Sequence, residues 1–233
     1  MIGGIIAAGE GRRLRAAGVT VPKPMVPVGG VPLVESVIGN FVAAGIRALV
    51  IILNEAEGDC AAWLSERFAD LDLRVIVKTT QSSLESFAEI TAAGAPGPML
   101  VSTVDAWCRP EDFAAFATAA ARHPAEATVL AVTTLVADEK PLWVTLGDGG
   151  RVRHIGGDGG DAVTAGLYRV SPRARTLAAT PGLGRLREYL AWLVAHGEPV
   201  FAAFMPDVVD VDRPEDIALA ESLLADGRRR DHN

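Results

Sequence analysis

Two short segments near the start of the chain carry residue types suited to phosphate chemistry. The first is Ala7-Ala8-Gly9-Glu10-Gly11-Arg12-Arg13-Leu14, directly after an apolar run at residues 2–7. Glycines after a strand let backbone N–H groups turn toward a polyphosphate, and basic side chains add charge. The second is Val21-Pro22-Lys23-Pro24-Met25-Val26-Pro27-Val28-Gly29-Gly30-Val31-Pro32-Leu33. The prolines flanking Lys23 fix their own φ and favour extended backbone before them. A lysine held that rigidly suits stabilising charge on a phosphate. Neither segment is a P-loop or a dinucleotide fingerprint, because GxxxxGK[ST] and GxGxxG are both absent. Taken singly, a plain turn and a solvent-facing lysine are the alternatives.

Carboxylates form the second set. Asp105 ends an apolar run at residues 98–104 and precedes Arg109-Pro110-Glu111-Asp112. Asp210 and Asp212 close the run at residues 208–211 and precede Arg213-Pro214-Glu215-Asp216. The carboxyl ends of parallel strands are where α/β sheets place ligands. Asp105 and Asp210 could together hold one Mg²⁺, which takes oxygen ligands and keeps waters and substrate phosphates. Asp212 with Glu215 reads as a capping box, so Asp212 is expected to cap a helix. Glu111, Asp112, Glu215 and Asp216 fall in first helical turns, where the helix dipole favours acids.

The elements that must position these groups alternate. Apolar runs at residues 2–7, 48–53, 73–77, 98–104 and 127–135 read as strands, and helical spacing predicts helices over 32–44, 55–69, about 83–93 and from 110. Residues 8–30 read as a long loop. Near-continuous apolar strands between helices predict an α/β fold: a Rossmann-like, mostly parallel sheet with helices on both faces. After about residue 136 the pattern changes. Short runs at 142–146, 151–155 and 162–170, split by Gly and Asp turns, predict a small antiparallel β insert. A helix at 183–196, strands at 199–205 and 208–211, and a helix from 214 to about 225 complete the chain. One domain over residues 1–226 is expected, with 136–170 as an acceptor-binding subregion and 227–233 as a polar, frayed tail.

Composition narrows the partners. The 233 residues are 49% hydrophobic and 22% charged, which is globular. The net charge of −7 argues against nucleic acid and against a general membrane-surface binder, since both need a basic face. No apolar run approaches a bilayer span, and the N-terminus lacks the basic start of a signal peptide. Cys60 and Cys108 are too few and too far apart for a disulfide framework. A cytoplasmic protein, with a possible homo-oligomeric state, is the expectation.

The two N-terminal segments together closely resemble the signature of the sugar-1-phosphate nucleotidylyltransferases (pyrophosphorylases): a strand, AAGxGxRL, a spacer, then PKPxxxVxGxPLxE. Ala7, Ala8, Gly9, Gly11, Arg13, Leu14, Pro22, Lys23, Pro24, Val28, Gly30, Pro32, Leu33 and Glu35 match its fixed positions. The resemblance implies that Gly9–Arg13 wraps a nucleoside triphosphate and that Arg13 and Lys23 stabilise the reacting phosphates, with Asp105 as the third catalytic residue. Arg12 falls at a variable position. Asp105 and Asp210 match the family's metal aspartates, though Thr103-Val104 replaces the usual Asn-Gly before the first. Gln81, Ser82 and Ser83 lie where the family reads the base, and a serine there also suits a helix N-cap. Val163-Thr164-Ala165-Gly166-Leu167-Tyr168 resembles the AGxY strand of the acceptor pocket, giving Gly166 and Tyr168 as substrate-binding residues. Asp138-Glu139-Lys140-Pro141 resembles the family's EKP but precedes the Gly150-Arg151-Val152 turn instead of following it, so the role of the family's lysine is not carried over to Lys140.

The implied reaction is Mg²⁺-dependent transfer from a nucleoside triphosphate to a sugar 1-phosphate, releasing pyrophosphate. Phosphocholine is an alternative acceptor, for which Trp107, Trp143 and Tyr168 could cage the ammonium, although core packing is the commoner fate of such residues. A non-catalytic nucleotide sensor of the same fold is the third reading; the presence of Arg13, Lys23, Asp105 and Asp210 argues against it. His154 has no task in this chemistry. PLVE and the AGxY strand favour the sugar branch over molybdopterin and isoprenoid nucleotidyltransferases.

Overall fold

The computed structural model describes residues 1–179 and 182–230. The first half runs β1 (Ile2–Ala7), α1 (Arg12–Ala16), β2 (Pro27–Val28), β3 (Val31–Pro32), α2 (Leu33–Ala43), β4 (Ala48–Leu53), α3 (Gly58–Arg67), β5 (Asp72–Val77), α4 (Ser83–Ala93) and β6 (Met99–Thr103). The second half runs β7 (Ala106–Cys108), α5 (Pro110–Ala121), β8 (Thr128–Thr133), β9 (Trp143–Leu146), β10 (Val152–Ile155), β11 (Ala162–Val170), α6 (Pro172–Leu177), α7 (Leu186–Ala195), β12 (Val200–Phe204), β13 (Val208–Asp210) and α8 (Pro214–Arg230).

Among the described residues, nine strands form one sheet in the order β10-β9-β11-β6-β1-β4-β5, with β8 and β12 branching from β11. The β6–β1–β4–β5 portion is parallel. Its strands are apolar on both faces because helices cover both. Alternation sorts the side chains into two cores. Ile5, Leu49, Ile51 and Leu53 face Phe41 of α2, Leu64 of α3 and Phe113 of α5. Ile6, Val50 and Ile52 face Phe87 of α4 and Tyr189 of α7. The mostly parallel sheet with helices on both faces is therefore as the sequence predicts.

The stretch at 136–170 is antiparallel, and β11 ties it to the main sheet by pairing with β6, β8 and β9. Residues 8–30 hold more than a loop: α1, a 3-10 turn at Lys23–Met25 and one strand of the β2–β3 hairpin lie there. Two further short elements, β7 and α6, lie outside the elements the sequence predicts. β7 has three residues and α6 has six, too few for a period to show. Helix α8 continues to Arg230, past residue 226, while residues 231–233 of the expected tail lie outside the described residues. Both cysteines are buried and free. No helix among the described residues is long and apolar enough to cross a membrane.

Candidate active site

The glycine loop leaves β1 and enters α1. Gly11 makes that entry at φ +60°, in the left-handed region. A Cβ there would lie 3.0 Å from the Cβ of Lys23. The bare backbone thus packs on the Lys23 stem, and the two N-terminal motifs become one surface. Lys23 lies in a tight turn instead of an extended run: the Met25 N–H donates to the Pro22 carbonyl at 2.8 Å. That turn directs the side chain inward, leaving it only 7% exposed. Its ammonium donates to Asp105 and to Asp212.

Asp105 sits where the chain leaves the parallel ladder, just after Val104 N–H donates to the Ile6 carbonyl at 2.9 Å. The chain then reverses into β7, which pairs antiparallel with β13, setting Asp210 opposite Ala106. The Val211 N–H donates to the Asp105 carbonyl at 3.0 Å. Asp210 therefore comes from a two-stranded ribbon and not from the end of a parallel strand, which corrects the expectation. The ribbon is what brings three aspartates together.

Asp212 is the third, and it does not cap α8. The carboxylate of Asp216 accepts from the Asp212 and Arg213 N–H groups at 3.0 and 2.8 Å. With Pro214 as the first helical residue, Arg213 is the N-cap and Asp216 the third helical residue, so the box is shifted by one. The freed Asp212 side chain accepts from Arg13 at 2.7 Å and from Lys23. Its place two residues after Asp210 is the signal in the sequence that points to it.

One carboxylate oxygen from each of Asp105, Asp210 and Asp212 lies within 4.8 Å of the others. Six-coordinate Mg²⁺ sets its ligand oxygens about 3–4 Å apart and prefers carboxylates with waters and phosphates, so the donor set suits it. The electrostatics agree. The Asp105 charge, and then desolvation in the cleft, push the Asp210 carboxyl well above its ordinary range. Burial alone would raise Asp105, but Lys23 outweighs it and holds Asp105 below the usual value. Burial would likewise lower Lys23, yet Asp105, Asp212 and Asp210 together hold its ammonium above the ordinary value. Lys23 and Arg13 set two cationic groups against three carboxylates, so the cluster keeps an excess of negative charge that suits a cation.

Two cavities meet at Asp105. A cleft of about 490 Å³ is walled by Gly9, Gly11, Arg13 and Lys23 on one side and by Gln81, Ser82 and Ser83 on the other. Ala8 lines it, but Ala7 is fully buried and off its wall, because alternation along β1 turns Ala7 into the core. The Ser82 hydroxyl caps α4 by accepting from the Glu85 N–H at 3.2 Å. A second cavity of about 280 Å³ is lined by Gly166, Tyr168 and Asp210. Gly166 has φ +71°, and a Cβ there would meet Thr103 Oγ1 at 2.7 Å. Ser83, Thr103 and Asp105 belong to both walls.

The second wall also carries Asp138, which opens the segment that resembles the family's EKP, and two residues the sequence does not single out, Arg185 and Arg187. The arginines lie at the start of α7 with no motif of their own. Lys140 is not on this wall. Of the three aromatic residues considered for an ammonium cage, only Tyr168 reaches it, and Trp107 is buried in the core. His154 is exposed on β10.

A family model for the MobA-like NTP transferase domain matches residues 3–200. The chain belongs to this family. By that description the matched residues form an NTP transferase domain. It is 27% identical over 94% of its length to a bifunctional IPC transferase and DIPP synthase from Rubrobacter xylanophilus, and spans 51% of that protein. Over 33% of its length it is 33% identical to a 2-aminoethylphosphonate cytidylyltransferase from Lancefieldella rimae, matching 30% of it. The chain thus spans about half or less of these curated relatives. Its fold superposes on an inositol-1-phosphate CTP transferase from T. maritima at TM-score 0.81, with 18% identity and 94% of both chains covered. A candidate glucose-1-phosphate thymidylyltransferase from Bacillus anthracis gives 0.80, with 15% identity over 96% and 95% of the two chains.

Proposed function

We propose that this nucleotidyltransferase joins a nucleoside triphosphate to a small phosphorylated acceptor and releases pyrophosphate. The observation that carries the reading is the meeting of two cavities at Ser83, Thr103 and Asp105. The glycine-loop cleft takes the triphosphate, and the cavity at Gly166 and Tyr168 takes the acceptor. CTP is the triphosphate to try first, because two of the similar proteins are named for CTP or cytidylyl transfer. A sugar or cyclitol phosphate is the first acceptor class. Asp138 favours a second class, an aminoalkyl phosphonate or phosphate, since it lines the acceptor cavity and its carboxylate accepts only from the Lys140 N–H, at 3.1 Å, among the described residues.

In this reading an acceptor phosphate oxygen attacks the α-phosphorus, the α–β bridging P–O bond breaks, and pyrophosphate leaves with the electron pair. The nucleophile is already ionised near neutral pH, so no general base is needed. The protein's task is positioning and charge neutralisation. The Gly9 and Gly11 backbone and Arg13 hold the terminal phosphates. Lys23, fixed in its turn, faces the α-phosphate. Asp105, Asp210 and Asp212 would hold Mg²⁺, which when bound supplies positive charge to the phosphate oxygens.

The test is pyrophosphate release with Mg²⁺, crossing five triphosphates with sugar 1-phosphates, inositol 1-phosphate, 2-aminoethylphosphonate and phosphocholine. Release that requires one triphosphate and one acceptor together is the expected result. Tight triphosphate binding with no release across the matrix would overturn the reading in favour of a sensor.

A further inference from the structure

The acceptor cavity is walled by acids. Asp105, Asp138 and Asp210 all line it, while Lys23 lines the neighbouring cleft. An anionic acceptor entering such a cavity meets repulsion unless a cation faces it. The basic side chains on this wall are Arg185 and Arg187, from the start of α7.

Their place along the wall is set by the backbone. The Leu186 N–H donates to the Ser83 hydroxyl at 3.1 Å, and Ser83 lies on the seam between the two cavities. The first turn of α7 is therefore anchored at the point where the reacting phosphates must meet. Arg187 donates one N–H to the Lys140 carbonyl at 3.1 Å, which orients its guanidinium. Among the described residues no other acceptor takes the remaining donors of the planar fork, which leaves them for a phosphate. The charge of Arg187 is felt at the Tyr168 hydroxyl, together with those of Asp210 and Asp105. Lys140 contributes only its backbone: its side chain is exposed and off the wall.

We infer that Arg187, supported by Arg185, binds the phosphate of the acceptor, and that Lys140 supplies the carbonyl that aims it. The inference rests on the proposed reaction and names the cation of its acceptor site. A guanidinium matches a phosphate with two parallel hydrogen bonds, so a lysine at this position is not equivalent.

The experiment has two arms. In the first, steady-state pyrophosphate release is measured for Arg187→Ala, Arg187→Lys and Lys140→Ala, varying CTP and the acceptor separately. Arg187→Ala should lower kcat/KM for the acceptor about 10–100-fold, the scale of one charge-assisted phosphate contact, and leave the CTP KM within about twofold. Arg187→Lys should recover part of the loss, and Lys140→Ala, which keeps the carbonyl that orients Arg187, should lose less than Arg187→Ala. A loss in Lys140→Ala with none in Arg187→Ala overturns the inference, as does a loss in Arg187→Ala that falls on CTP. In the second arm, inorganic phosphate is titrated with protein in excess CTP and followed by phosphorus NMR linewidth. Broadening by the wild type that is lost only in the Arg187 variants supports the assignment even if no acceptor turns over, a result that would instead sink the proposed reaction. Equal broadening by wild type and Arg187→Ala, or none by the wild type, overturns it.

Discussion

Lys23→Met separates charge from packing at the centre of the site. The methionine keeps most of the stem that lies against Gly11 and removes the ammonium held by Asp105 and Asp212. Removing one partner of a buried ion pair costs about 3–5 kcal/mol, because the other charge is left uncompensated. Here the carboxylate side chains are 21% and 29% exposed, so water takes up part of the loss. About 2–3 kcal/mol remains by that scale. For a chain of this length that is a fall in Tm of roughly 4–12 °C in EDTA. Mg²⁺ should act in the opposite direction. It replaces the missing positive charge among Asp105, Asp210 and Asp212, so it should raise the Tm of the variant more than that of the wild type. Turnover should still drop at least about 10²-fold, the scale for removing one transition-state charge stabiliser. Thermal unfolding in EDTA and in Mg²⁺, with pyrophosphate release in parallel, reads all three. A variant as stable as the wild type in EDTA, with an equal Mg²⁺ increment, would refute the argument that Lys23 neutralises this cluster.

Other substitutions probe the surrounding geometry. Asp105→Asn should lower turnover at least about 10²-fold, since Asp105 lies on both cavity walls; near-wild-type pyrophosphate release would count against its role. Gly166→Ala should cost about 2–4 kcal/mol by denaturant unfolding, from the left-handed φ of +71° and the 2.7 Å approach to Thr103 Oγ1. An unchanged midpoint would mean that the cavity floor yields freely. Glu57 is 2% exposed with neither carboxylate oxygen hydrogen-bonded, and burial raises its pKa from 4.5 to about 7. Between those two values the folded chain holds the proton that the unfolded chain has lost. Stability should therefore fall as pH rises from 4.5 to about 7, by at most about 3 kcal/mol. Glu57→Gln should flatten that slope in unfolding curves taken across the window, and an unaltered slope would remove Glu57 as its source.

What could be read from the chain alone was local. Apolar runs of five or six residues between amphipathic helices specify a parallel sheet covered on both faces, because nothing else buries both faces of such strands. The two proline- and glycine-rich segments specify a surface suited to phosphate, since Gly11 and Lys23 carry their chemistry in their own backbone and side chain. Asp105 and Asp210 stood out because each follows an apolar run. Contacts between distant segments were decided by the tertiary structure. Asp212 looked like a cap because a capping box is judged by spacing, and a shift of one residue passes that box to Asp216. Its actual partners, Arg13 and Lys23, are 199 and 189 residues away. The β7–β13 ribbon that gathers the aspartates has three residues per strand, below the length at which alternation becomes visible. Arg187 lines the cavity beside Gly166 and Tyr168 because α7 docks on Ser83, across 103 residues. Spacing along a chain reports the face a residue takes within its own element; which elements meet is set by burial of the two cores, and that depends on every residue at once.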